Sequence, residues 1–284
     1  MSYRPWLGGP FRWRLNLRPL DPAAWFEFGD DASALLAGKS ALLAAQRSTV
    51  FGALDEAADG CDEILDHVVA NLAEHHPDRS VEVDPADHPL VAAARLVPED
   101  LVVMTHHDGR LVCSAGVVCF PNRWDLASKI GRPMQAVHAP VAQLNEQLAA
   151  PIDAFFDRLT PEKSFWRLGW GIIETDELYQ PTDGTAPPRG AIPGAVEAGD
   201  QIWIRVERET LRRFPKTGAV LFTIRTHLTR VADLLDRPDD LARLAEAVEG
   251  LPPDVADYKG TAPLTAPLLA WLRVRQADRV RADA

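Results

Sequence analysis

Residues 111–141 read LVCSAGVVCFPNRWDLASKIGRPMQAVHAPV, and the order of physical properties along this stretch decides how the rest of the chain is read. Leu111 to Phe120 is an apolar run of strand length. Pro121, which has no N–H to give to a ladder, stops it. Three cationic side chains follow, Arg123, Lys129 and Arg132, and then His138 within Val137-His138-Ala139-Pro140-Val141. Proline suits the first turn of a helix, where its missing N–H would have had no partner, so Pro140 predicts a helix start. The expectation is an imidazole held between a strand and a helix, close to basic groups. A metal-centred cofactor with anionic arms requires both.

Upstream, Leu101 to Met104 and the run from Leu111 flank Thr105-His106-His107-Asp108-Gly109-Arg110, and Asp-Gly between apolar runs predicts a hairpin. Adjacent side chains at a strand end point in opposite directions, so His106 and His107 read as exposed turn residues rather than as one chelate. Residues 77–100 are spaced by Pro77, Pro85, Pro89 and Pro98 and read as a loop. Before them, Cys61 to Glu74 carries Ile64, Leu65, Val68, Val69 and Leu72 on one helical face. His67, His75 and His76 fall at its rim and tail, where a helix dipole favours them. Asp31 to Leu54 is rich in Ala and Leu and also predicts a helix. Residues 1–30, with Trp6, Trp13, Trp25 and a Gly8-Gly9-Pro10 turn, read as an irregular arm.

Downstream, Val141, Leu144, Leu148, Ile152, Phe155, Phe156 and Leu159 trace a helical stripe that Pro151 bends or breaks. Trp166 to Ile173 alternates as a strand with Trp166, Leu168, Trp170 and Ile172 on one face. Residues 180–200 read as a loop. Ile202, Ile204 and Val206 alternate again, and Arg208 to Arg213 reads as a short charged turn closed by Pro215. Ala219 to Leu228 is the longest strand candidate, with Val220, Phe222, Ile224 and Leu228 on one face and Thr223, Arg225 and His227 on the other. From Val231 the chain reads as polar helices, and no internal repeat is visible. Hairpins and short loops predict an α+β protein with a five-stranded antiparallel sheet, helices across one face and a pocket between them. The expected organisation is an N-terminal arm with helices over 1–100, a core over 101–230 and C-terminal helices over 231–284, packed as one compact unit.

The totals narrow the function. With 284 residues, 46% hydrophobic and 25% charged, the chain can bury a substantial core. A net charge of −11 argues against a broad nucleic-acid surface. No apolar run approaches the roughly 20 residues of a membrane span, and MSYRPWLGGPFRW has no signal-peptide h-region. The three cysteines, Cys61, Cys113 and Cys119, form no CxxC pair, so a disulfide framework or structural zinc is not expected and a reducing cytoplasm is. There is no P-loop, no GxGxxG and no cysteine spacing for an iron–sulfur cluster. A redox role would therefore draw its electrons from elsewhere.

Among residues that bear chemistry, His138 is a candidate axial ligand, since a neutral imidazole is the usual proximal group for haem iron. The bland alternative is a local hydrogen-bonder. Arg205 to Arg213 holds four arginines against Glu207 and Glu209, either a carboxylate-binding patch or a solvated ion-pair network. Arg225 and Thr226 sit mid-strand, where a charge is costly unless the face is wet or lines a pocket. No Ser/His/Asp order or close carboxylate pair points to a hydrolase.

At this point the chain resembles the α-subunit-like proteins of haem-dependent oxidative N-demethylase. The matching pieces are Pro5-Trp6 with Gly9-Pro10, Leu96-Val97-Pro98-Glu99-Asp100-Leu101, Cys119-Phe120-Pro121-Asn122-Arg123-Trp124, Lys129-Ile130-Gly131 and Val137-His138-Ala139-Pro140-Val141. Trp166-Arg167 with Trp170, the run Arg205 to Pro215, and Phe222-Thr223-Ile224-Arg225-Thr226 complete a fixed order over about residues 5–230. The resemblance implies a PAS-like domain that binds haem b and oxidises a small secondary amine, dimethylamine, with O₂. It implies electrons from a partner reductase carrying FMN and a 2Fe–2S cluster, and a homo-oligomer is compatible with it. It makes His138 the axial ligand, with His227 or His106 next in line, and Arg123, Lys129 and Arg132 partners of the propionates. Arg225, Arg208 and the adjacent Thr226 become a polar wall beside O₂ or amine. The chain departs from the pattern at Gly169, where the family carries Asn, and at Glu209, where it carries Gln, so hydrogen bonding and charge in the site differ. Two other readings share the scaffold: a non-catalytic haem or gas-binding module, and a haem-free ligand-binding or interaction protein.

Overall fold

The computed structural model describes residues 3–141, 143–182 and 191–282. Among the described residues seven antiparallel strands form one sheet, two more than the five expected. They are β1 (Arg18–Pro19), β2 (Phe51–Ala53), β3 (Asp100–His107), β4 (Arg110–Val117), β5 (Phe165–Ile173), β6 (Trp203–Arg213) and β7 (Val220–Arg230), in the order β1-β5-β6-β7-β3-β4-β2. The helices are α1 (Ala32–Ala45), α2 (Arg47–Val50), α3 (Ala58–His75), α4 (Pro89–Leu96), α5 (Met134–Val137), α6 (Leu144–Arg158), α7 (Ala198–Gln201), α8 (Pro238–Glu249), α9 (Pro253–Tyr258) and α10 (Ala262–Ala282). The α+β expectation holds. Among the described residues, no helix is long and apolar enough to cross a membrane.

The Asp-Gly hairpin forms as the local chemistry requires. Asp108 and Gly109 both take positive φ, +48° and +73°, the left-handed pair that matches the twist of the flanking strands, and His107 pairs with Arg110. Trp166, Leu168, Trp170 and Ile172 share a face, opposite Thr210, Arg208, Val206 and Ile204 on β6.

Four element assignments are corrected. Arg208 to Arg213 is no turn but the second half of β6. The strand tolerates these arginines because main-chain oxygens receive them: Arg208 donates to Ala24 and Trp25, and Arg213 to Leu159, Phe156 and Gly218. The chain turns later, where Gly218 takes φ +73° and Phe214 N–H donates to Ala219. Residues 89–96 are a helix within the supposed loop. Pro89 opens α4, and the His88 imidazole caps it by accepting from Leu90 N–H at 3.2 Å. The Ala/Leu-rich helix stops at Ala45, and Phe51–Ala53 joins the sheet beside β4, in register with Val117 to Ala115. Finally, Pro140 opens no helix: α5 ends at Val137, and α6 starts at Leu144 after Gln143 with φ +56°.

Helical layers cover both faces of this sheet, not one. On the back face the arm, α1, α3 and α4 bury Trp25, Phe26, Ile64, Val68, Leu90, Leu101, Val103 and Leu221. Beside them α8 and α10 enclose Trp6, Ile204, Val206, Leu244, Leu268 and Trp271. On the front face, the segment from Trp124 through α6 packs Leu126, Ile130, Val137, Phe156 and Leu159 over β3, β4 and the far ends of β6 and β7. The remainder of the front face is where the site lies.

Candidate functional site

A central strand packed on both sides buries both sets of side chains. On β7 the burial is uneven along both faces: Leu221, Thr223 and Arg225 on the back and Val220 and Thr226 on the front are buried, whereas Phe222 and Ile224 on the front and His227 on the back stay half-buried. On β5 residues 165–171 of both faces are half-buried, and Phe165, Arg167, Gly169 and Gly171 are those on the front. We take the partly covered front face of β5, β6 and β7 as the candidate hollow. The Trp124–α6 segment walls one side. The end of α9 walls another: Lys259 Nζ donates to Trp170 O at 2.6 Å, and Thr261 Cγ2 lies 3.9 Å from where a Gly171 side chain would begin.

His138 caps the C-terminus of α5, its N–H bonded to Met134 O at 3.0 Å. The ring is half-buried, and no described residue hydrogen-bonds its side chain. Burial first, and then the positive charges of Arg167 and Lys129, push its pKa down to about 4, so the imidazole is neutral at physiological pH. Lys129 Nζ donates to Val137 O at 3.0 Å and braces the turn that carries this ring. Arg132 is exposed, tied to β4 through its main chain by Cys113 N–H at 3.0 Å. Arg123, at φ +58°, forms an ion pair with buried Glu174 and packs where a Gly260 side chain would stand, which links the Pro121 corner to the α9 wall.

The floor is a mixed-charge set. Arg167 Nε meets Glu209 Oε2 at 2.5 Å, and Arg205 Nε meets Glu207 Oε1 at 2.9 Å. Arg205 is fully buried and also donates to Phe120 O at 2.5 Å and Thr226 Oγ1 at 3.2 Å, so Thr226 lies beneath the floor. Burial lowers the Lys259 pKa, an effect the nearby Glu207 and Glu209 oppose, and burial with Glu207 raises that of Tyr258. Nothing in the local pattern marked Tyr258 and Lys259. Strand parity was the available signal for Glu207 and Glu209, because alternation from apolar Ile204 and Val206 puts them on the other face.

The register separates the remaining candidates from this hollow. Arg208 and Arg225 lie on the back face, where they hold the arm. Arg225 pairs with Asp31 at 2.5 Å, and Arg208 approaches Glu27 at 3.4 Å. His227 is on that face too, bonded to Glu27 Oε2 at 3.0 Å and edge-on to the Tyr3 ring. His106 is exposed near the hairpin tip. The expected polar wall thus divides: Thr226 goes to the front floor, while Arg208 and Arg225 go to the arm. Among the described residues no group of three or more His, Cys, Asp or Glu is arranged to hold a metal ion.

Fold and site together define an α+β protein in which one partly covered sheet face carries ion-paired carboxylates, with a neutral imidazole nearby. Residues 78–269, well over half of the chain, match the family model described as haem-dependent oxidative N-demethylase, alpha subunit-like. The chain belongs to that family.

Proposed function

We propose that this chain binds haem b at the front face, where His138 would hold the iron, and N-demethylates a small secondary amine using O₂ and electrons from a partner reductase. The observation that carries the reading is the His138 imidazole: neutral, free of side-chain hydrogen bonds from described residues, and set beside an uncovered strand face. Neutral imidazole is the form that ligates iron. The core reads as PAS-like. Counted along the chain, its five long strands lie in the order second, first, fifth, fourth, third, with the α5–α6 connection crossing one face.

The residues present fit a porphyrin. Half-buried Phe222 and Ile224 supply apolar contact, Gly171 leaves backbone without a side chain, and Lys129, whose charge reaches His138, is a candidate for a propionate, with Arg123 and Arg132 further candidates. When bound, the haem supplies the iron centre at which O₂ and electrons meet; FMN and a 2Fe–2S cluster belong to the reductase. The protein's part is to orient and desolvate. The carboxylates of Glu207 and Glu209 accept N–H bonds from the substrate ammonium, Arg167 and Arg205 hold those carboxylates in place, and α5, α6 and α9 exclude water. Overall, a methylammonium CH₃–NH₂⁺–R, O₂, two electrons and two protons give R–NH₃⁺, formaldehyde and water.

The test is spectroscopic and chemical. Reconstituted protein is expected to show a Soret band, to lose its axial-ligand signature in His138→Ala, and to release formaldehyde from a secondary amine when reduced. An unchanged spectrum in His138→Ala moves the ligand elsewhere. A Soret band with O₂ response but no amine consumption leaves a gas-binding module.

A further inference from the structure

The ion pairs on the floor of the hollow use one side of each group. Glu209 gives Oε2 to Arg167, and its Oε1 stands 3.0 Å from the point where a Gly169 side chain would begin. Glu207 gives Oε1 to Arg205, and its Oε2 stands 3.9 Å from the same point. Two carboxylate oxygens therefore converge on a notch that exists because residue 169 has no side chain. Arg167 spends only its Nε. Its two terminal nitrogens have no hydrogen-bond partner among the described residues, and its side chain is 34% exposed on the front face.

We infer that the ligand of this floor is a zwitterion, an N-methyl α-amino acid. Its ammonium N–H groups bond the two oxygens above Gly169, and its carboxylate takes the outer edge of Arg167. The inference rests on the amine reading above and narrows it. A bare dialkylammonium fills the notch but leaves a guanidinium edge unmatched, and that edge is shaped for a carboxylate. The overall reaction is unchanged: N-methylglycine, O₂, two electrons and two protons give glycine, formaldehyde and water.

Calorimetric titration of the full chain with N-methylglycine and with dimethylammonium tests this, and it needs no turnover. N-methylglycine is expected to bind at least about 10-fold more tightly, the worth of one charge-assisted pair. Arg167→Lys keeps the charge but loses the fork. It should weaken N-methylglycine about 10–100-fold and dimethylammonium less than about 3-fold. Gly169→Ala intrudes on the notch and should weaken both. Equal affinity for the two ligands in the parent chain, or equal loss of both in Arg167→Lys, overturns the inference. So does loss of haem from Arg167→Lys with ligand binding intact, which would give that edge to a propionate. Absence of a Soret band in the parent protein would sink the haem reading alone, because the comparison of ligands is also made on haem-free protein.

Discussion

Arg208 and Arg225 stand directly opposite each other on β6 and β7, two buried guanidinium groups in one cross-strand pair. Like charges in that position repel. The pair persists because the arm answers it: Ala24 and Trp25 give carbonyl oxygens to Arg208, Asp31 gives a carboxylate to Arg225, and Glu27 faces Arg208 with one oxygen and His227 with the other. The arm thus supplies the counter-groups that this cationic strand face needs.

Arg208→Met should therefore cost roughly 2–4 kcal/mol, because two arm carbonyls lose charged donors and Glu27 loses a counter-ion. Denaturant unfolding measures the loss, and hydrogen exchange should report faster opening of residues 22–31. The Soret band should keep its position, since the substitution lies on the face away from His138. A shifted Soret with an intact arm would return Arg208 to the hollow.

What the sequence made legible follows from the range of each interaction. Asp108-Gly109 and the alternation from Trp166 to Ile172 are local, and both formed as read. The partners of Arg208 lie about 180 positions earlier in the chain, so Arg208 to Arg213 read as a short charged turn rather than as strand. Pro89 was misread because a proline that breaks one element also opens another. In the site, His138 and Lys129 come from one segment, and their proximity was legible in their spacing. Lys259 reaches the floor only after β5, β6 and the α9 turn have assembled.

Glu99 gives a pH dependence of known sign. Its Oε1 accepts Glu27 N–H at 2.8 Å, its Oε2 has no hydrogen-bond partner among the described residues, and burial raises its pKa from 4.5 to about 7. Asp100, equally buried, is raised to about 6. A raised carboxyl pKa means the folded state holds the proton more tightly. The stability this contributes is complete below the unfolded values near 4 and is lost as pH rises through about 6 and 7. Glu99→Gln, which stays neutral, should flatten the fall between about pH 5 and 8 by roughly 1–3 kcal/mol in chemical unfolding. A parallel fall in the variant would show that Glu99 stays ionised, held by Lys39 and Arg225.

His138 titrates with the opposite sign. Its folded pKa lies below 6.5, so protonation favours unfolding, and the stability owed to the neutral ring is lost as pH falls from about 6.5 toward 4. Proton NMR of the haem-free chain should show this ring neutral down to about pH 4. Arg167→Gln removes a repelling charge and should move the titration upward. A ring titrating near 6.5 in the parent chain would mean it is not held in the hollow.

The seating of the helical cover on the sheet can be tested at a single contact. A side chain at Gly116, on the front face of β4, would begin 2.8 Å from Leu126 Cδ1, so the turn that leads to Lys129 and His138 lies against bare backbone. Gly116→Ala should overpack this contact and cost about 1–3 kcal/mol. The strain falls on one flexible side chain, so Leu126→Val in the same chain should restore part of the stability. Haem affinity should follow the same order, reduced by Gly116→Ala and recovered with Leu126→Val, because displacement of residues 126–138 carries the imidazole with it. Loss of stability without loss of haem affinity would separate the packing of Leu126 from the position of His138, and would place the iron ligand on another segment.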